Sequence, residues 1–216
     1  MARLKAAVLI SGRGSNMAAL LESCADPAFP AEIVTVISNR PGAAGLARAE
    51  AAGIRTLVID HRAHPGREDF EAALTAALEE AGAELVCLAG FMRLLTPGFV
   101  DRWAGRMINI HPSLLPSFKG LHVHEQALAA GVRITGCTVH YVTAEMDDGP
   151  IIAQAAVPVV PGDTPDALAA RVLAAEHKAY PMALKLVAEG RARIGGGGVE
   201  LDGTVWEQEV LLSPPR

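Results

Sequence analysis

The stretch AAVLISGRGSNMAALL, residues 6–21, has the pattern of a strand, a glycine loop and a helix. The uninterrupted apolar run of residues 6–10 predicts a strand buried on both faces. Small and polar residues follow at 11–16, and apolar residues resume at 17–21. Such a unit begins a parallel sheet, and its loop directs backbone N–H groups and a helix N-terminus toward an anion.

The anion at this loop is more consistent with a monophosphate than with a pyrophosphate. Met17 stands where a dinucleotide-binding fingerprint needs its third glycine, and no Gly-Lys-Ser/Thr follows as in a nucleotide triphosphate loop. The methionine in place of the third glycine also disfavours a nicotinamide-dependent dehydrogenase. A plain strand-to-helix turn remains open from the loop alone. The loop over residues 11–16 is therefore a candidate anion site.

The same alternation of strand and helix continues along the chain. Further strands are predicted at 33–37, 56–59 and 84–89, and helices at 43–52 and from Arg67 onward. This order predicts an α/β protein with a doubly wound, mostly parallel twisted sheet that is Rossmann-like. Two later strands, at 134–142 and 151–159, predict an antiparallel addition near the C-terminal half. The residues between them are too few for a helical crossover.

The segment MINIHPSLLPSFKG, residues 107–120, supplies the main candidates for chemistry. Residues two apart in a strand share a face, so Asn109 and His111 project together while Ile108 and Ile110 turn inward. Pro112 ends the strand at His111. An amide that donates to an oxyanion and an imidazole that moves a proton would stand side by side at the ligand-binding edge of the sheet.

Carboxylates downstream are the candidate partners of these groups. The loop TAEMDDGP, residues 143–150, is the one downstream place that offers His111 an acid, although paired acids before Gly-Pro are most often turn formers. Glu176 lies on the apolar stripe of a long helix that begins at Thr164 and Pro165. A buried carboxylate needs a partner, so Glu176 is in a structural ion pair or binds a cationic ligand group.

Two other segments carry predictions. One Arg inside large apolar residues at 91–95 suits a flat, partly aromatic ligand, with ordinary packing as the alternative. Near the C-terminus, we expect a flexible joint at 193–198 and a small hairpin at 199–206 around Asp202-Gly203.

Composition excludes several classes of function. The net charge is −5 and basic residues do not cluster, which argues against a nucleic-acid surface. No apolar run reaches the ~20 residues of a membrane span, and the first is too short for a signal peptide. The three cysteines lack metal or redox spacing, so buried thiols in a reducing, cytoplasmic setting are expected. The histidines at 122 and 124 lack further ligands, and no metal site is predicted.

The chain resembles the phosphoribosylglycinamide formyltransferases, the folate-dependent glycinamide ribonucleotide transformylases of purine synthesis. The resemblance rests on VLISGRGSN, ISNRPGAAGL, LAGFMRLL, NIHPSLLPSFKGLHVHEQAL, HYVTAEMDDGPII and RVLAAEHKAYP, in order over about residues 5–190. It implies the formyltransferase fold, with a single domain over 1–190. Within it, 1–105 would bind the phosphosugar and 106–190 would carry catalysis and folate. A hairpin and tail would follow over 191–216.

The resemblance also implies site residues. Asn109, His111 and Asp147 would form the catalytic trio, although Asp148 stands where the family often has glycine. Gly12, Arg13, Gly14, Ser15 and Asn16 would bind the phosphate, and Glu176 the glycinamide amine. The folate pocket would comprise Arg67, Met92, Arg93, Leu94, Leu95, Val142 and Thr143, together with Asn109 and Asp147.

The implied reaction transfers the formyl group of 10-formyltetrahydrofolate, a co-substrate, to glycinamide ribonucleotide. No metal, nucleotide triphosphate, nucleic acid or membrane would take part, and the chain would be a monomer or a homodimer. A 10-formyltetrahydrofolate hydrolase shares the Asn, His and Asp and is the nearest alternative. A non-catalytic binder of folate or sugar phosphate is the alternative from another class.

Overall fold

The computed structural model describes residues 2–203 of the chain. Within this range, seven strands form one sheet between two layers of helices. The strands are β1 (Leu4–Ile10), β2 (Ala31–Ser38), β3 (Thr56–Val58), β4 (Leu85–Leu88), β5 (Met107–His111), β6 (Ile134–Tyr141) and β7 (Ile151–Pro158). The helices are α1 (Ser15–Cys24), α2 (Ala44–Ala51), α3 (Arg67–Glu80), α4 (Pro97–Arg102), α5 (Val123–Ala129) and α6 (Pro165–Ala188).

The strand order confirms the predicted doubly wound sheet. The strands follow one another as β3-β2-β1-β4-β5-β6-β7. Pairing is parallel from β3 to β5 and antiparallel for β5 with β6 and for β6 with β7. The order reverses direction between β1 and β4. The connections that leave their carboxyl ends diverge there and open a crevice, which is where open α/β sheets bind ligands.

The two faces of β1 belong to two hydrophobic layers. Val8 and Ile10 pack in the layer that includes α1 and α6, and Leu9 packs in the opposite layer with α3 and α4. All three side chains are fully buried. A central strand covered on both faces must be apolar at successive positions, which explains the continuous run in the sequence.

Helix α6 is the longest in the described part of the chain and carries one side of the site. Thr164 Oγ1 accepts a hydrogen bond from Ala167 N at 3.2 Å, and Pro165 occupies the first turn, as predicted. Its predicted stripe, Leu168, Val172, Tyr180 and Leu184, is fully buried. Glu176 lies on that stripe and is buried as well.

The prediction of a flexible joint at 193–198 was wrong. Strands β8 (Ala192–Gly195) and β9 (Gly198–Leu201) pair across Gly196 and Gly197. Gly196 and Gly197 have φ values of 55° and 88°, as the central residues of a two-residue hairpin turn of type I′ require. The residues taken for a flexible joint therefore form the hairpin itself. The rest of the predicted hairpin, from 204 to 206, and the predicted tail lie outside the described residues.

Two further expectations concern cysteines and membranes. Cys24, Cys87 and Cys137 are free and buried, as predicted. Burial raises the pKa of the Cys24 thiol to about 11 and that of Cys137 to about 12. Among residues 2–203, no helix combines the length and apolar character that crossing a bilayer needs.

Candidate active site

The carboxyl end of β5 presents the predicted amide and imidazole. Ile108 and Ile110 belong to one hydrophobic layer, so the alternation of the strand directs Asn109 and His111 to the opposite face. Asn109 is half-buried and His111 is buried. Both lie beside the crevice at the edge where β1 and β4 end, because parallel strands end on the same side of a sheet.

Asp147 is the acid that lies beside His111. Its Oδ2 lies 3.4 Å from His111 Nδ1, and the same oxygen accepts a hydrogen bond from Gly120 N at 2.9 Å. Asp147 adopts a left-handed backbone conformation with φ of 52°, which aspartate tolerates better than most residues. Asp148 instead pairs with Lys119 at the surface. The two adjacent acids therefore have different partners, and Asp147 is the one that faces the imidazole.

The other ring nitrogen of His111 faces the loop after β5. His111 Nε2 lies 2.9 Å from the carbonyl oxygen of Phe118. Leu115 N donates to Thr138 Oγ1 at 3.0 Å, which holds this loop against β6, and Ser113 Oγ donates to the Ser117 carbonyl at 2.6 Å within the loop. Each ring nitrogen of His111 therefore has an oxygen nearby, Asp147 Oδ2 at Nδ1 and the Phe118 carbonyl at Nε2.

Asn109 has a partner that the sequence reasoning missed. Its Nδ2 lies 3.3 Å from Nε2 of His140, on the neighbouring strand β6. His140 is buried, and burial lowers the pKa of its imidazole despite the opposing effects of the Tyr141 carbonyl and Asp147. Polar residues at alternating positions of β6, including Thr138 and His140, were the available signal. Sequence alone did not say that β6 pairs with β5.

The loop from Gly12 to Asn16 joins β1 to α1 and has the form expected for an anion site. Gly14 has φ of 67° and caps α1 with no side-chain hydrogen bond, so the first N–H groups of the helix are not covered by a capping side chain. The loop is anchored because Gly45 N donates to Gly12 O at 3.0 Å. Ser15 begins α1, and the exposed Arg13 adds a positive charge beside it.

Asn16 faces away from the rest of this loop and toward Glu176. Asn16 Nδ2 donates to Glu176 Oε2 at 2.7 Å, and both side chains are buried. Burial raises the pKa of Glu176, and the hydrogen bond from Asn16 opposes part of that shift. The partner is a neutral amide, so the alternative of a structural ion pair was wrong within the described residues. Asn16 Oδ1 is buried and has no hydrogen-bond partner among them.

The predicted folate residues, apart from Asn109 and Asp147, fall into three groups. Met92 and Leu94 are largely exposed apolar side chains on the loop after β4, with Leu95 partly buried beside them. Arg67 and Arg93 line a cavity of about 290 Å³ with His61, His64 and Phe70. Val142 and Thr143 follow β6 directly and are partly buried.

Ser11 connects the loop that carries Met92 to the phosphate loop, and the sequence did not single it out. Its buried Oγ accepts a hydrogen bond from Met92 N at 2.7 Å and donates to Asn39 Oδ1 at 2.5 Å. Ser11 N also donates to Gly90 O at 3.1 Å. The loops that follow β1 and β4 are therefore joined by hydrogen bonds close to the ends of these strands.

Known proteins resemble this chain in sequence and in fold. The family model described as formyl transferase matches residues 4–184. Phosphoribosylglycinamide formyltransferase of Escherichia coli is 44% identical over 91% of this chain and 92% of its own length. The trifunctional purine biosynthetic protein adenosine-3 of Gallus gallus is 55% identical over 91% of this chain. This chain covers only 20% of the length of that protein.

Solved structures of similar proteins have the same fold as this chain. Glycinamide ribonucleotide transformylase 1 of Symbiobacterium toebii has a TM-score of 0.90 and 49% identity, and the match covers 92% of this chain and 94% of that one. Phosphoribosylglycinamide formyltransferase of Coxiella burnetii has a TM-score of 0.88 and 47% identity over 93% and 94% of the two chains. The chain therefore belongs to the formyl transferase family and has the formyltransferase fold, with phosphoribosylglycinamide formyltransferases among its close relatives.

Proposed function

We propose that this chain transfers the formyl group of 10-formyltetrahydrofolate to the amine of glycinamide ribonucleotide in purine biosynthesis. The products are formylglycinamide ribonucleotide and tetrahydrofolate. The observation that carries the proposal is the position of Asn109, His111 and Asp147 at the carboxyl end of β5. They lie near the reversal of strand order, from which the phosphate loop and the apolar Met92 loop emerge.

In the proposed reaction, the glycinamide nitrogen attacks the formyl carbon and the carbonyl electrons move onto the formyl oxygen. Asn109 donates an N–H to this oxyanion, and a protonated His111 places positive charge beside it. Asp147 holds the imidazole in place from 3.4 Å. The intermediate collapses when the bond from carbon to N10 breaks, and the proton lost by the amine passes to N10 through His111, Asp147 or a water between them.

The phosphate of the acceptor would bind residues 12–16, where the N–H groups of α1 and the Arg13 guanidinium offer positive charge. Glu176 would accept a hydrogen bond from the glycinamide amine. Asn16, the partner of Glu176, has a buried Oδ1 with no hydrogen-bond partner in the described residues. A ligand that brings a donor to this place would satisfy that acceptor, which supports an amine beside Glu176. On this scheme residues 1–105 supply the phosphosugar half of the domain.

The folate would lie in the half formed by residues 106–190 and the Met92 loop. Its flat ring would pack on Met92, Leu94 and Leu95, with Val142 and Thr143 on the other side. Its acidic glutamate tail would extend toward Arg67 and Arg93, which line one cavity. No step of this scheme calls for a metal or a nucleotide triphosphate. Free cysteines are compatible with the proposed cytoplasmic location, and a monomer or homodimer remains part of the proposal.

A hydrolase that releases formate is the alternative reaction. The buried Asn16 and Glu176 pair argues against it, because water as the acceptor has no phosphate or amine for that pair and the glycine loop to bind. The deciding experiment incubates the protein with formyl-folate in the presence and absence of glycinamide ribonucleotide. We expect formylated ribonucleotide to accumulate and little formate without the acceptor. Formate release at equal rates in both incubations would overturn the transferase proposal.

A matched pair of variants tests the residues. His111→Asn removes the buried imidazole, and we expect turnover to fall by about 100-fold or more. His122→Asn changes a histidine in the segment between β5 and α5 whose side chain is 77% exposed, at a position with φ of 57° that asparagine accepts. We expect normal turnover for this control. Equal losses in both variants would contradict the role of His111.

A further inference from the structure

His140 stands directly opposite Asn109 in the sheet. In the antiparallel pairing of β5 with β6, Asn109 aligns with His140 and His111 with Thr138. Side chains of directly opposed residues share a face and come into contact. On the other edge of β6, the register with β7 shifts between Val139 and His140. A bulge of this kind changes the direction of a side chain, and here it lies at the residue that meets Asn109.

The hydrogen bonds of the His140 ring define which nitrogen carries the proton. His140 Nδ1 lies 2.8 Å from the carbonyl oxygen of Tyr141, which can only accept, so Nδ1 must be the donor. In a neutral ring Nε2 then has a free lone pair. Nε2 is the atom that lies 3.3 Å from Asn109 Nδ2, so the amide donates to the ring. The ring thereby selects the amide nitrogen, and not the amide oxygen, as its neighbour.

The surroundings of His140 favour the neutral form of its ring. His140 is 2% exposed, and burial lowers its pKa. The Tyr141 carbonyl and Asp147 act in the opposite direction, and His111 acts in the same direction as burial. A protonated ring would carry hydrogen on both nitrogens and could no longer accept from Asn109.

We propose that His140 is a positioning residue that holds the Asn109 carboxamide with its nitrogen toward the formyl oxygen. The inference rests on the proposed function, because it assigns His140 an effect on formyl transfer that acts only through Asn109. A carboxamide has a donor end and an acceptor end of nearly equal size. If it turned over, its oxygen would face the developing oxyanion and repel it.

The geometry leaves one donor of Asn109 for the substrate. The amide nitrogen has two N–H bonds, and His140 takes one of them. The Asn109 side chain makes no other hydrogen bond within residues 2–203. The second N–H is therefore fixed in direction before the substrate arrives, which is the kind of preorganisation that lowers the barrier for an oxyanion.

Two variants separate the contacts of the ring. In His140→Gln, the side-chain oxygen can occupy the place of Nε2 and still accept from Asn109, while the hydrogen bond to Tyr141 O is lost. In His140→Asn, the shorter amide can still donate to Tyr141 O, while the acceptor for Asn109 is lost. We expect kcat to fall roughly tenfold or more in His140→Asn and to stay within about threefold in His140→Gln. The KM values for both substrates should change little.

A double-mutant cycle tests whether the effect passes through Asn109. In an Asn109→Ala background, we expect His140→Asn to cause almost no further loss of kcat. Thermal unfolding shows whether each variant is folded. If His140→Asn does not fold, the kcat of His140→Gln still tests the inference. A normal kcat for folded His140→Asn would overturn the inference. So would equal losses in the Gln and Asn variants, or losses that multiply independently in the cycle.

One measurement does not depend on activity. In protein labelled with ¹⁵N at histidine, we expect His140 at neutral pH to show the pattern of a neutral ring with hydrogen on Nδ1. A doubly protonated ring, or hydrogen on Nε2, would overturn the inference. Formyl transfer by the unmutated protein is measured first. If it is absent, the proposed function itself fails, whereas normal transfer with an unaffected His140→Asn removes only the role of His140.

Discussion

Gly149 is the residue whose replacement tests most directly how the Asp147 loop is held. A Cβ atom at Gly149 would lie 1.7 Å from the carbonyl oxygen of Tyr141 and 3.3 Å from His140 Nδ1. Ordinary contact begins at 3.4 Å, so Gly149→Ala must push the loop and β6 apart by about 1.7 Å. The contact between Asp147 Oδ2 and His111 Nδ1, now 3.4 Å, depends on that loop.

The expected cost has two parts. Overpacking of this kind typically destabilises a protein by about 1–3 kcal/mol, and for a chain of this size each 1 kcal/mol lowers Tm by about 2–4 °C. We therefore expect Tm to fall by roughly 4–8 °C for a cost near 2 kcal/mol. Misplacement of a catalytic group by about 1 Å is enough for a 100-fold loss of rate, so kcat should fall by about that factor.

Gly136→Ala is the matched control for this prediction. Its Cβ would lie 1.9 Å from the carbonyl oxygen of Ala155, so it strains β6 against β7 by an amount similar to the strain of the loop against β6 in Gly149→Ala. The site lies toward the other end of β6, away from His140. We expect a similar fall in Tm, measured by calorimetry, but a kcat within about threefold of normal. If kcat is normal in Gly149→Ala, or falls equally in both variants, the loop does not position Asp147 as we reason.

Three further variants have separate expected outcomes. Burial raises the pKa of Glu176, so the folded protein loses stability as pH rises above the pKa that this carboxyl has in the unfolded chain. Glu176→Gln removes the buried charge and should therefore increase Tm at neutral pH. That gain should vanish in scans at acidic pH, and a gain independent of pH would refute this reasoning. Thr164→Ala removes the cap on Ala167 N and should cost about 1 kcal/mol in chemical denaturation with kcat unchanged. Ser11→Ala removes the acceptor of Met92 N and should raise the KM for formyl-folate roughly tenfold, equivalent to about 1.4 kcal/mol. The KM for the ribonucleotide should rise less. Equal changes in the two KM values would argue against a role of Ser11 in holding the Met92 loop.

Most of the sheet could be predicted because its physical signal is local. Strands buried on both faces must be apolar at every position, so β1 and β4 appear as continuous apolar runs. The cap and the first-turn proline of α6 are equally local. The hairpin over 192–201 was missed because four glycines in a row were interpreted as a flexible joint. Only the pairing of β8 with β9 shows that Gly196 and Gly197 form its turn.

The candidate site was predictable where one strand or loop supplies the residues. Asn109 and His111 share a face because they are two residues apart in a strand, and the glycines of residues 12–16 indicate a loop before a helix. Asp147 required the resemblance to a known family in addition, since two adjacent acids were available. The structure separates them, because Asp147 faces His111 and Asp148 pairs with Lys119.

The sequence by itself determined the class of fold, the order of the strands' hydrophobic runs, and the residue types that chemistry requires. Tertiary structure alone decided which of them meet. Asn16 and Glu176 are 160 residues apart in the chain and Asn109 and His140 are 31 apart, yet each pair forms a hydrogen bond. Hydrophobic periodicity acts within one element, whereas a hydrogen bond between elements depends on the pairing, register and direction of both. For that reason Asn109 was visible from the start, and the histidine that orients it was not.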